Sequence, residues 1–129
     1  MSKRVLIVDD ESHIRLLLEQ TLDPLLDSEV EISTADNGGA ALEAIRRDRP
    51  HLVLLDVMMP VMNGFDVCKA VKSDPALVGT FVMMLTAKGQ ELDRATGAEV
   101  GADLYMTKPF DPDDVLARAA RVLGIELDG

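Results

Sequence analysis

Apolar residues along the chain fall into two alternating patterns. Val5–Val8, Leu52–Leu55 and Phe81–Leu85 are nearly continuous in aliphatic and Met or Phe residues, as strands buried on both faces are. Val30–Ala35, reading VEISTA, alternates in the manner of an edge strand, and Asp103–Met106 is short and mixed. Helical spacing separates these runs. Ser12–Leu22 carries Ile14, Leu17, Leu18 and Leu22 on one face, and Pro24 limits its length. Ala40–Arg47 carries Ala41, Leu42 and Ile45, with Arg46 and Arg47 in the last turn, where cations oppose the helix dipole. Phe65–Lys72 carries Val67, Cys68 and Val71. Residues 90–100 hold a thinner stripe that Gly97 interrupts. The last helix opens with Asp111 as N-cap, Pro112 at the first helical position and acids in the first turn, and Gly124 stops it.

Five strand–helix units in succession predict an α/β fold, a parallel sheet with helices on both faces. Right-handed crossovers leave few topologies. The edge-like second strand favours the order 2-1-3-4-5, a flavodoxin-like, doubly wound, five-stranded sheet with five helices. A length of 129 residues suits one domain, 1–129, with its core at about 3–124. In such sheets ligands bind beyond the carboxyl ends of the strands, beside the switch point between strands 1 and 3.

Three carboxylates meet at that edge. Asp9 and Asp10 end strand 1, and Asp56 ends strand 3. Thr86 ends strand 4 and Lys108 follows strand 5. Two unit charges 4 Å apart cost about 4 kcal/mol at an intermediate dielectric, so either one acid holds a proton or a cation joins them. Oxygen-only ligands favour a hard ion, Mg²⁺ or Mn²⁺. With Lys108 and Thr86 supplying a positive charge and a donor, the set can handle a phosphoryl group with a carboxylate as nucleophile. Singly, each residue has a plainer reading: Asp10 as N-cap, Asp56 as a turn opener, Lys108 as a solvated loop lysine, Thr86 as a strand end. Those readings leave unexplained why all five fall on one edge with complementary charge.

Composition narrows the partners. The formal charge of −10 argues against phosphate-backbone binding to nucleic acid, which needs clustered Lys and Arg, and suits cations or basic partner surfaces. The single cysteine, Cys68, precludes an internal disulfide and fits a reducing compartment; it reads as helix core. No stretch approaches the roughly 20 apolar residues of a membrane span. The apolar run near the N-terminus is too short for a signal-peptide core. The expected location is the cytoplasm, away from membranes.

The motifs VDD (8–10), LLDVMMPVMNG (54–64), LTA (85–87), GADLYMTKPF (101–110) and the helix opening DPDD resemble the receiver domain of two-component response regulators, over essentially the whole chain. The resemblance implies that Asp56 accepts a phosphoryl group from a sensor histidine kinase or a histidine phosphotransfer protein. It implies that Asp10 binds Mg²⁺ directly, Asp9 through water, and Met58 through its backbone carbonyl. It gives Thr86 the phosphoryl oxygen and Lys108 the phosphate charge, makes Lys108–Pro109 a cis peptide, and makes Tyr105 a ring that turns from an exposed to a buried position on activation. A downstream target would then read the face of helix 4, strand 5 and helix 5. The chain keeps Arg118 of the charged set through which transcription-factor receivers dimerise. It has Leu104 and Ile125 where two other members fall, so a monomer is expected. The resemblance also implies a switch rather than an enzyme, apart from self-catalysed phosphoryl transfer and autodephosphorylation.

Three alternatives stand beside this reading. A haloacid-dehalogenase-like phosphatase would need a second acid where Met58 sits. A flavin carrier would need Ser, Thr and Gly where the chain has acids. The receiver could also be cut from a longer transcription factor or nucleotide cyclase, instead of being a stand-alone protein.

Overall fold

The computed structural model describes residues 3–87 and 100–127. The elements run β1 (Lys3–Val8), α1 (Ser12–Leu22), a 3₁₀ segment (Asp23–Ser28), β2 (Val30–Ala35), α2 (Gly38–Asp48), β3 (Leu52–Asp56), α3 (Gly64–Lys72), β4 (Phe81–Ala87), β5 (Leu104–Lys108) and a C-terminal helix (Pro112–Leu123). All neighbouring strands pair in parallel, in the order β2-β1-β3-β4-β5. This is the flavodoxin-like sheet expected from the alternation of runs. The helical stripe at 90–100 lies, except for Val100, outside the described residues.

Strand periodicity sorts the core into two layers. Val5, Ile7, Leu52, Leu54, Met83 and Leu85 pack with Leu18 and Leu22 of α1 and with Val115, Ala119 and Leu123 of the C-terminal helix. Leu6, Val8, Val53, Leu55, Val82 and Met84 pack with α2 and α3, through Ala41, Leu42, Ile45, Val67, Cys68 and Val71. Both faces of β1, β3 and β4 are thus covered, which is why their sequences read as continuous apolar runs. At the edge, β2 buries only Val30 and Ala35 and exposes Glu31, Ser33 and Thr34.

Helix α1 departs from its expected face. Leu17 is 41% exposed, and Leu16 beside it 53%. Leu18 and Leu22, one turn apart, face the sheet, and Leu17 sits about 100° away on the cylinder. Leu25, from the 3₁₀ turn that Pro24 initiates, joins the same buried layer. Helix α2 starts at Gly38 because the Asn37 side chain accepts the Ala40 N–H, and α3 starts at Gly64 under a capping box between Asn63 and Asp66. Asp111 accepts the Asp113 N–H, as its N-cap role requires. Among the described residues no helix is long and apolar enough to cross a membrane.

Candidate functional site at the carboxyl edge of the sheet

Asp9 follows directly on β1, Asp56 closes β3 and Lys108 closes β5. The Lys108 ammonium donates to Asp9 Oδ2 at 2.9 Å and to Asp56 Oδ1 at 3.1 Å, joining the ends of β1, β3 and β5. Both carboxylates are buried, Asp9 at 0% and Asp56 at 4% exposure. The other polar atoms of Asp9 are also engaged. Its N–H donates to Ala35 O, its Oδ1 accepts the Glu11 N–H, and its carbonyl accepts Arg15 Nη1 at 2.8 Å. Asp9 is therefore fixed in place, whereas Asp10 beside it is exposed.

The electrostatics follow from this burial. Desolvation, then repulsion from Asp9, raises the Asp56 carboxyl to about 6, against the attraction and hydrogen bond of Lys108; Asp10 adds a smaller upward push. For Lys108 burial is the largest single influence and lowers its pKa. The hydrogen bonds and charges of Asp9 and Asp56 together outweigh it and hold the ammonium above its ordinary value.

Glycine holds the loop after Asp56 against the strand. The Gly64 N–H donates to Val57 O at 2.9 Å, and a Cβ at Gly64 would overlap the Asp56 carbonyl oxygen. A Cβ at Gly38 would likewise overlap the Met62 carbonyl. The start of α3 is thus packed against the tip of β3, and the start of α2 against Met62 in the loop that follows, with no room for a side chain at either glycine.

Asp9, Asp10 and Glu11 carry carboxylate oxygens within 4.8 Å of one another. This set, oxygen-only and open to solvent through Asp10 and Glu11, fits a hard divalent cation. Glu11 was not singled out from the sequence, where it reads as the ordinary residue before a helix. Its one signal is that it makes a third consecutive acid. Arg15 was also missed, because its contact with the Asp9 carbonyl depends on the chain's turn into α1. Met58 exposes its side chain.

Thr86 is buried and pairs with Thr107, one position past the Leu85 that pairs with Asp56. Tyr105 pairs with Met84, two residues before Thr86, so Thr86 and Tyr105 lie on the same face of the sheet. The Tyr105 ring packs against the layer formed by α2 and α3, and its hydroxyl oxygen is shut from solvent. Strand parity turns Tyr105 towards that layer, where the residue is half-buried. Lys108–Pro109 is cis. His13 is a surface residue, 3.2 Å from Glu11.

The sequence profile described as response regulator receiver domain matches residues 5–120. The chain is 42% identical over 123 residues to the alkaline phosphatase synthesis transcriptional regulatory protein PhoP of Bacillus subtilis, covering 95% of this chain and 49% of that protein. It is 42% identical over 118 residues to the DNA-binding response regulator MtrA of Mycolicibacterium paratuberculosis, covering 92% and 50%. It thus spans about half the length of these curated relatives. Among solved structures, the chemotaxis response regulator CheY4 of Vibrio cholerae superposes with a TM-score of 0.82 at 35% identity, covering 95% of this chain and 99% of that one.

Proposed function

Because the chain belongs to the response regulator receiver domain family, we propose that it is a phospho-acceptor switch in which Asp56 takes a phosphoryl group from the phosphohistidine of a sensor kinase or phosphotransfer protein. The observation that carries this reading is the buried Asp56 carboxylate, at a strand end, sharing one ammonium with Asp9. Lys108 engages Asp56 Oδ1, which leaves Oδ2 to attack phosphorus. The P–N bond to the imidazole breaks, its electron pair stays on the ring nitrogen, and an acyl phosphate forms on Asp56. A divalent cation, Mg²⁺ or Mn²⁺, held by Asp10, Asp9, Asp56 and the Met58 carbonyl would neutralise charge on the phosphoryl oxygens. Lys108 moves its hydrogen bond from the carboxylate to the new phosphoryl group, and Thr86 donates its hydroxyl to another phosphoryl oxygen.

The downstream effect is a change in partner affinity, transmitted through Thr86 and Tyr105 to the face that β5 shares with the C-terminal helix. We place the protein in the cytoplasm as a monomer. Arg118 fits this, because it pairs with Asp114 in its own helix at 3.0 Å. The expectation of no nucleic-acid partner concerns these residues alone, since relatives about twice as long include a DNA-binding regulator.

Incubation with acetyl phosphate and Mg²⁺ tests the reading. One phosphoryl group per chain, formed once, is expected. Continuous release of phosphate from a generic phosphomonoester such as p-nitrophenyl phosphate would favour a hydrolase instead.

A further inference from the structure

Arg15 stands in the first turn of α1, where the positive end of the helix dipole favours anions and disfavours a guanidinium. It is half-buried, in a cleft between the end of β2 and α2 that Asp36 and Glu43 also line. Its Nη1 donates to the main-chain carbonyl of Asp9 at 2.8 Å, reaching back six residues from the helix to the tip of β1. A cation placed against the helix dipole has a cost, and the contact that offsets it is this one.

The Asp9 carbonyl lies in the rigid peptide plane that also carries the N–H and Cα of Asp10. Holding that oxygen therefore sets the direction in which the exposed Asp10 carboxylate leaves the chain. The neighbouring bonds, from Asp9 N–H to Ala35 O and from Glu11 N–H to Asp9 Oδ1, fix the residues on either side and do not act on this carbonyl. We infer that Arg15 is a positioning residue for the divalent cation, aiming Asp10 through the Asp9–Asp10 peptide. This rests on the acids at 9–11 forming the cation site. Charge and orientation make opposite demands here. By charge alone a guanidinium near three carboxylates weakens cation binding, so its removal would tighten it. By orientation its removal weakens binding, and partners that orient metal ligands are commonly worth about 10–100-fold in metal affinity.

The test titrates Mg²⁺ into the wild type, Arg15→Met and Arg15→Lys and follows the amide spectrum by NMR, so that binding is read without any phosphodonor. Arg15→Met keeps an unbranched apolar stem and removes donor and charge together. Arg15→Lys keeps both. Arg15→Met should raise the Mg²⁺ Kd about tenfold, and Arg15→Lys should recover most of that loss. In the metal-free proteins the Asp10 amide signal should move in Arg15→Met and return towards its wild-type position in Arg15→Lys. Arg15→Gln, with a shorter neutral donor, should bind more weakly than the wild type as well, and it replaces Arg15→Met in the comparison if that variant does not fold. Unchanged or tighter Mg²⁺ binding by the neutral variants would overturn the inference. So would an equal loss in Arg15→Lys and the neutral variants. If Mg²⁺ moves no amide signal of residues 9–11 in the wild type, the cation assignment itself fails, a result distinguishable from these.

Discussion

The Lys108 ammonium reaches Asp9 across 99 residues of sequence and closes at 2.9 Å on a carboxylate with no exposure to solvent. The same nitrogen holds Asp56 at 3.1 Å. One cation thus serves two buried anions, which leaves the centre short of positive charge. Removing Lys108 strands both carboxylates, and breaking a buried pair by deleting one partner costs about 3–5 kcal/mol. Lys108 is 21% exposed, so a loss nearer 2 kcal/mol is expected for metal-free Lys108→Ala at pH 7. Mg²⁺ should then raise the melting temperature of the variant more than that of the wild type, because it no longer competes with the ammonium. Equal Mg²⁺-induced shifts, measured by thermal denaturation with and without EDTA, would show that Lys108 does not occupy the cation's place.

The raised Asp56 pKa makes a second, signed prediction. In the unfolded chain the carboxyl titrates near 3.9, and in the folded chain at about 6. Between those values the folded state holds the extra proton, so rising pH lowers stability through this group until about pH 6 and has no further effect above it. Metal-free Asp56→Asn lacks that loss. Its advantage over the wild type should be negligible at pH 4 and grow to about 2–3 kcal/mol by pH 7. Denaturant unfolding at a series of pH values checks it. A constant difference from pH 4 to 7 would mean that Asp56 is not destabilised by burial.

Gly64→Ala is expected to lower stability by about 2–3 kcal/mol, because the added methyl overlaps the Asp56 carbonyl and the obstacle is backbone rather than a movable side chain. Acetyl phosphate labelling should slow with it. Gly79→Ala serves as control, since a Cβ there meets nothing within 4 Å. Parallel melting curves of the two variants separate the effects.

Tyr105 is the only tyrosine, and the chain has no tryptophan, so its emission reports on one ring. Thr86 shares its face of the sheet and sits diagonally across from it. Beryllofluoride with Mg²⁺, a mimic of the acyl phosphate, should change Tyr105 emission in the wild type. In Thr86→Ala at least half of that change should be lost. Equal amplitudes in both proteins would separate Thr86 from the ring.

The sheet was legible because its three inner strands are covered on both faces and read as continuous apolar runs, while β2 alternates at the edge. Strand order alone then brings Asp9, Asp56 and Lys108 to one edge of the sheet. Contacts made by chain reversals were not legible. Leu17 satisfies the helical stripe yet points to solvent, and Leu25, beyond the proline that ends α1, takes up core volume through the 3₁₀ turn. Glu11 joins the acid pair because the chain bends between Val8 and Ser12, which no periodicity encodes. Lys72 gives a similar case. It donates to the Thr80 carbonyl at 2.6 Å in the loop that follows α3, and it bridges Asp103 at 2.7 Å in a loop distant in sequence.

Phosphoryl acceptance at Asp56 is tested most directly by labelling wild type and Asp56→Asn with acetyl phosphate and Mg²⁺, followed by intact-mass analysis and peptide mapping. The expected result is one phosphoryl group on the wild type, located on Asp56, dependent on Mg²⁺ and lost under conditions that hydrolyse acyl phosphates. Asp56→Asn should carry none, because the amide is a poor nucleophile and a poorer metal ligand. Full labelling of Asp56→Asn, or a label mapped to another residue of the wild type, would contradict it.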